Sequence, residues 1–222
     1  MIKPLSWSEI DCFWKDQDKW YVSYVLGLKE PPTPPMERGS AIHAYLFAGD
    51  SEREAMKQGW AKKYSPPEIR SHDKMAAHFD GIIPKGMFTH EVKCETDIVG
   101  VPTIGYWDGE CTNLNDPIIM EVKTGRIWTE QEARDHGQIA LYTAQWINRH
   151  ADRGEKWDQT TYPNIWFLTY DGKSGRGQMY QFKVHPNKIN HIASLVKKTR
   201  VAMGEYFDKR VASTRYEDTP KR

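Results

Sequence analysis

Ile118-Ile119-Met120-Glu121-Val122-Lys123-Thr124-Gly125 is the stretch on which the reading of this chain turns. Three apolar residues open it and a glycine closes it. A short apolar run that stops at Gly reads as a strand buried near the middle of a sheet. Side chains two apart on a strand leave the same face, so Glu121 and Lys123 project together. The preceding Asn113-Leu114-Asn115-Asp116-Pro117 is dense in turn formers. Val101 to about Glu110 reads as the strand before that turn, which brings Asp108 up to Glu121 across the pair. Two carboxylates and an ammonium on one face are costly without a partner. A hard divalent cation is the natural one: Mg²⁺ takes one or two carboxylates, keeps waters and accepts phosphate oxygens. Lys123 can then orient an attacking water or offset charge on a phosphate.

Upstream, the pattern from Met87 has period two. Phe88, His90, Val92 and Cys94 fall on one side, and Glu91, Lys93 and Glu95 on the other. This strand carries a second Glu-Val-Lys, with Asp80 eleven residues ahead of it. Three features favour the later copy. Its strand is apolar before the Glu, a capped helix follows it, and Asp108 sits on a predicted strand where Asp80 sits by a loop.

Downstream, Thr129-Glu130-Gln131-Glu132 has the form of a capping box. It opens a predicted helix to about Asn148, with Ala133, Gly137, Ala140, Leu141 and Ala144 on one face. Residues 151–161 read as a loop. Strands from Tyr162 to Tyr170 and Gln178 to Val184 flank a glycine-rich turn. A basic helix from Pro186 to about Arg210 and a polar tail end the chain. At the other end, Ser6 caps an aromatic helix to about Val25, and Gly27 stops it. Pro31 to Pro35 reads as an extended strap before a helix from Gly39 to about Ala48. Residues 51–86 read as a polar helical insertion broken at Ser65-Pro66-Pro67. The order predicts one α/β domain over residues 1–222, a mixed central sheet flanked by helices. Within it, 1–50 form the N-terminal helices, 51–86 the insertion, 87–185 the sheet and its helix, and 186–210 the basic helix.

Net charge is +1, which does not announce a polyanion partner. Its distribution says more. Residues 173–222 hold 12 Lys or Arg against 4 Asp or Glu, and residues 1–172 hold 19 against 26. An acidic body suits a cation, and a basic end suits phosphates. Lys173, Arg176, Lys197, Lys198 and Arg200 are the expected backbone grips. Three scattered cysteines argue against a disulfide framework and against a cysteine metal site. No signal peptide and no bilayer-spanning apolar run is read, so a soluble cytoplasmic protein is expected. Gly172-Lys173-Ser174 looks like the end of a phosphate loop. Phe167 stands where the first Gly should be and a strand follows, so no nucleotide cofactor is expected.

The whole pattern resembles the RecB-type branch of the PD-(D/E)XK nucleases. Gly105-Tyr106-Trp107-Asp108 is similar to that branch's Gly-x-x-Asp. Glu121-Val122-Lys123-Thr124-Gly125 is similar to its (Asp/Glu)-x-Lys-Thr-Gly, with Glu where Asp is commoner. Gln138-Ile139-Ala140-Leu141-Tyr142 matches Gln-x-x-x-Tyr, and Gly39-Ser40-Ala41-Ile42-His43 matches Gly-x-x-x-His. Leu5-Ser6-Trp7-Ser8 and its aromatic helix resemble the usual opening. The resemblance implies a restriction-endonuclease-like core. It implies Mg²⁺ or Mn²⁺, one ion or two, held by His43, Asp108, Glu121 and the Val122 carbonyl, with Lys123 assisting the water. Gln138 and Tyr142 would hold DNA or the scissile phosphate, and Glu91 would be a lesser carboxylate near the metals. It implies exonuclease action on DNA ends or single strands, in a bacterial or phage-infected cell, with recombination or replication proteins as partners. A silent DNA-binding subunit and a sequence-specific endonuclease are the alternatives. Lys15-Asp16-Gln17 stands where many relatives carry the first cysteine of an iron–sulfur cluster, so no cluster is expected.

Overall fold

The computed structural model describes residues 3–84, 86–112, 116–151 and 162–217. Five strands form one mixed sheet in the order of the chain: β1 Thr89–Ile98, β2 Val101–Cys111, β3 Ile118–Thr124, β4 Asn164–Asp171 and β5 Arg176–Phe182. Neighbours run antiparallel except β3 and β4, which are parallel. A parallel pair needs a long crossover. Here it contains α6 Glu130–Asp135 and α7 Gly137–Ala151.

The sheet carries an apolar core on each face. Ile119, Ile165 and Phe167 face the first, packed with Ile139, Leu141 and Trp146 of α7 and with Ile192 and Val196 of α8, Pro186–Glu217. Met120, Val122, Leu168 and Tyr170 face the second. There they meet Ile42 and Leu46 of α3 Pro34–Phe47, Trp60 of α4 Asp50–Lys63, and Met75 and Phe79 of α5 Pro66–Asp80. Residues 118–122 are therefore all buried, which is why β3 reads as an unbroken apolar run rather than an alternating one. The part of 51–86 up to Asp80 is helical and breaks near Ser65, as its prolines predict. It is less peripheral than its polarity suggests, because α5 supplies the lid of the second core.

Several predicted boundaries move. Pro34 and Pro35 occupy the first turn of α3 instead of ending an extended strap. Proline is at home there, since its missing N–H would be unpaired anyway. The aromatic opening is three pieces, α1 Trp7–Lys15, α2 Gln17–Trp20 and a π-helical turn Tyr21–Val25. Asp16 turns extended between the first two and accepts from the Lys19 N–H at 2.9 Å, capping the second. The predicted helix from Thr129 breaks at His136, which is extended at ψ 117. A Cβ on Gly137 would lie 2.0 Å from Trp7 Cη2, so the new helix starts under that indole. The last helix reaches Glu217, past its predicted end. Residues 113–115 of the predicted turn, 152–161 of the predicted loop and 218–222 of the tail lie outside the described residues. Among the described residues, no helix is long and apolar enough to cross a membrane.

Candidate active site

The ladder between β2 and β3 pairs Cys111 with Ile118, Glu110 with Ile119 and Gly109 with Met120, and then stops. One more step would set Asp108 against Glu121. Instead the strands part, and the Asp108 carboxylate enters the fork. Its Oδ2 accepts from the Val122 N–H at 2.7 Å, so a side chain takes over from the backbone ladder. Its Oδ1 lies 3.2 Å from Nδ1 of His43, which α3 presents from the second core.

Glu121 and Lys123 leave the same side of β3, as the strand period predicts. Lys123 Nζ sits 2.5 Å from Glu121 Oε1. It also donates to Gln138 Oε1 at 2.9 Å. The chain of bonds continues through α7. Gln138 Nε2 donates to the Tyr142 hydroxyl at 2.6 Å, and that hydroxyl donates to the Tyr106 carbonyl at 2.6 Å. Gly105 makes the approach possible: a Cβ there would lie 2.3 Å from Gln145 Oε1 and 2.9 Å from Tyr142 Cε1. The Gly-x-x-Asp spacing thus has a physical content. The glycine admits the tyrosine that fixes the strand edge carrying Asp108.

Electrostatics single out Glu121. It is 2% exposed, and its Oε2 has no hydrogen-bond partner among the described residues. Burial, then the charge of Asp108, pushes its pKa up to about 7, against the pull of Lys123. His43 moves the other way from its own burial. Burial lowers its pKa, but the hydrogen bond and charge of Asp108, with the charge of Glu121, outweigh it and leave the pKa raised. Burial holds the Tyr142 hydroxyl well above its usual range, so it stays a neutral donor.

A buried carboxylate oxygen without a partner, a second carboxylate and an imidazole form a donor set suited to a small hard cation. The described side chains do not form a ready-made cage of three or more metal-binding groups. Mg²⁺ does not require one, because waters and substrate phosphates complete its shell. The residues present therefore fit a divalent ion whose shell is completed by other oxygens.

The remaining expected residues scatter. Glu91 drops out of the β1–β2 register between His90, paired with Gly109, and Val92, paired with Trp107; it is exposed and its φ of 47 is left-handed. Asp80 pairs with Arg53 at 2.7 Å and Lys93 with Glu95 at 2.7 Å, so the earlier Glu-Val-Lys gathers no cluster. Lys173 and Arg176 lie on the β4–β5 turn, where the Asp171 carboxylate accepts from the Lys173 N–H. Lys197 and Lys198 are exposed on α8, and Arg200 donates to the Lys3 carbonyl. The helix does not bring these three to the fork. Gln138 and Tyr142, read as holding DNA, are engaged with Lys123 and with the backbone of β2. Sequence reading missed the Tyr106 carbonyl as the anchor of this relay, because a backbone acceptor leaves no mark in composition. It also missed Thr169, whose hydroxyl donates to the Arg126 carbonyl and accepts from the Trp128 N–H, pinning the loop after β3.

No protein-family model and no curated protein sequence matches the chain. Solved structures do. A protein from Eubacterium rectale provisionally described as an exonuclease superposes with a TM-score of 0.61 at 11% identity, over 90% of this chain and 79% of that one. LHK-Exo solved in complex with dAMP gives 0.43 at 12% identity, over 95% and 94%. The alkaline exonuclease LHK-Exo from Laribacter hongkongensis gives 0.39 at 14%, over 79% and 93%. Of these, the first superposes closely enough to show a common fold. The five-stranded mixed sheet between helical layers is an α/β, restriction-endonuclease-like fold.

Proposed function

We propose that this protein is a divalent-metal-dependent deoxyribonuclease, an exonuclease that hydrolyses phosphodiester bonds at DNA ends or on single strands. One observation carries the reading. At the fork of β2 and β3, Asp108, Glu121 and Lys123 meet beside His43, and a Glu121 oxygen is buried with no hydrogen-bond partner among the described residues.

His43, Asp108, Glu121 and the Val122 carbonyl would hold Mg²⁺ or Mn²⁺. When bound, such an ion acidifies water and offsets charge on the phosphate. The chain's own groups do the rest. Asp108 is fixed at two points, by the Val122 amide and by His43, so its carboxylate is oriented before any ligand arrives. Lys123 presents an ammonium where negative charge grows on the phosphate, and Gln138 holds it in place. Tyr142 clamps Gln138 and is too buried to meet DNA itself. Exonuclease rather than endonuclease action is supported by the fold shared with the Eubacterium rectale protein and by the motif resemblance. Lys173 and Arg176, at the β4–β5 turn, suit the DNA backbone. Lys197, Lys198 and Arg200 would serve a more distant stretch of strand.

The test is degradation of end-labelled linear DNA with Mn²⁺, with chelator, and with Lys123→Ala. The reading expects cutting with metal, none with chelator, and a rate lowered about 10²–10³-fold by the substitution. Closed circular DNA should stay intact. Full activity in Lys123→Ala would overturn the assignment, and cleaved circles would turn it to an endonuclease.

A further inference from the structure

Gly172-Lys173-Ser174 looks like the end of a nucleotide loop, but it stands between two strands, in the β4–β5 turn. Its backbone is spent within the turn. The Lys173 and Ser174 amides donate to the Asp171 carboxylate at 2.9 and 3.3 Å, and the Gly175 amide to the Asp171 carbonyl at 2.9 Å. The Lys173 and Ser174 side chains are left exposed.

Across from them runs α5. A cleft of about 210 Å³ opens between helix and turn, lined by Arg70, Ser71 and Lys74 on one side and by Lys173 and Ser174 on the other. Its walls are fixed to each other. The Ser71 hydroxyl donates to the Gly172 carbonyl at 3.4 Å. A Cβ on Gly172 would lie 3.0 Å from that hydroxyl, and one on Gly177 would lie 2.0 Å from His78 Nε2, so α5 meets the turn and β5 with no room to spare.

The charge of the cleft is one-sided. Arg70, Lys74 and Lys173 are all exposed, and no acidic residue lines it. The acids of α5 are engaged elsewhere: Glu68 with Arg38 at 3.3 Å, Asp73 with Lys57 at 3.8 Å and Asp80 with Arg53 at 2.7 Å. Among the described residues, none of the three cations has an ion-pair partner. Arg70 and Lys74 stand one turn apart on a single helix face, a spacing at which like charges repel. Three cations about one small cleft fit an anion. A guanidinium fork with ammonium groups is the set that takes phosphate oxygens.

The position of the cleft says which phosphate. α5 covers the second core, whereas Lys123 leaves β3 on the side of Ile119 and the first, so the cleft and Lys123 are on opposite faces of the sheet. They share one end of it. Lys123 pairs with Thr169, and the turn begins two residues further on at Asp171, about 7 Å along β4. The phosphate being cut is out of reach of the cleft. A phosphate further along the strand, once the strand has passed over the ends of β3 and β4, is within it.

We propose that this cleft binds an internal phosphate of the DNA strand away from the bond to be cut, held by Arg70, Lys74 and Lys173; this rests on the nuclease reading above. The helical segment 51–86 thereby gains a role, as one wall of a backbone clamp that holds the strand without taking part in the chemistry.

The triple variant Arg70→Ala, Lys74→Ala, Lys173→Ala tests this, since all three side chains are exposed and the fold should survive their loss. Binding of a single-stranded oligonucleotide is followed by fluorescence anisotropy in chelator over a series of salt concentrations. The triple variant should bind about tenfold more weakly, and its plot of log affinity against log salt should be shallower by about 2. In cleavage with Mn²⁺ it should raise KM by a similar factor and leave kcat within about twofold. A neutral methylphosphonate placed at successive positions should weaken binding to wild type at one or two of them, and weaken the triple variant no further there. Should the triple variant misfold, Lys74→Glu alone should give the same pattern. Unchanged affinity and salt slope, identical methylphosphonate profiles in the two proteins, or a fall in kcat with KM unchanged would each overturn the clamp. A wild type that cuts no DNA overturns the nuclease reading instead, and the binding series still decides the cleft.

Discussion

Glu-Val-Lys occurs twice in this chain, at Glu91-Val92-Lys93 and at Glu121-Val122-Lys123, on two strands of one sheet. The first copy lies on β1, the edge strand. Glu91 and Lys93 are exposed there, and Lys93 pairs with its neighbour Glu95 in water. The second lies on β3 in the middle of the sheet. Glu121 is buried, Lys123 is shared between Glu121 and Gln138, and Asp108 enters the gap where the ladder ends. The same three residues thus stay in water in one place, with the lysine paired outside them, and join a buried cluster in the other. What differs is the dielectric, the partner strand and the helix behind. A surface pair adds about 0–1 kcal/mol and asks for nothing more. A buried carboxylate with an empty oxygen asks for a ligand.

The largest contrast should appear in rate. Glu121→Gln or Asp108→Asn should lower DNA cleavage with Mn²⁺ by about 10²-fold or more, whereas Glu91→Gln and Lys93→Ala should stay within about twofold. Initial rates on end-labelled DNA measure this, and equal losses in the two copies would erase the distinction. A loss in Glu91→Gln alone would place the carboxylate work on the edge strand.

Stability should diverge in the opposite sense. The folded pKa of Glu121, about 7, lies above its ordinary value, so the folded protein keeps this proton longer than the unfolded chain. The group's contribution is fully present below the unfolded pKa, declines as pH rises, and is lost through about 7. Glu121→Gln escapes that loss. In chelator at pH 8 it should be more stable than wild type by about 1–3 kcal/mol, and the gain should vanish near pH 4. Mn²⁺ should stabilise wild type and not the variant. Thermal melts across pH, with and without Mn²⁺, report all three, while Glu91→Gln should show none of them.

Smaller effects sharpen the role of the relay. Gln138→Ala removes the partner that holds Lys123 and should lower kcat about tenfold with little change in KM. Tyr142→Phe keeps the ring and loses the bond to the Tyr106 carbonyl, so about two- to fivefold is expected. A loss of DNA affinity with unchanged kcat in either variant would return these residues to DNA holding.

Much of this is legible in the sequence. Ile118 to Val122 announced a central strand because burial on both faces leaves no alternation to misread. The pairing of Glu121 with Lys123 followed from strand geometry, and the nearness of Asp108 from two strands joined by a turn. Less could be read where distant residues decide. The break at His136 comes from Trp7 lying over Gly137, which no local pattern records. The start of α3 was hidden because Pro34-Pro35 reads equally as a strap or as a first helical turn. The Lys123–Gln138–Tyr142 relay needed the crossover helix to return over β3, a tertiary fact. Arg70 and Lys74 stand in a segment read as a polar insertion, and only the packing of α5 on the sheet sets them across from Lys173.

The most direct measurement is anomalous diffraction from crystals of the protein soaked in Mn²⁺. The account predicts a manganese peak between the Asp108 and Glu121 carboxylates, close to His43, and its loss in Glu121→Gln. A fork that stays empty at saturating Mn²⁺, or a peak beside Asp80 and Glu91, would contradict it.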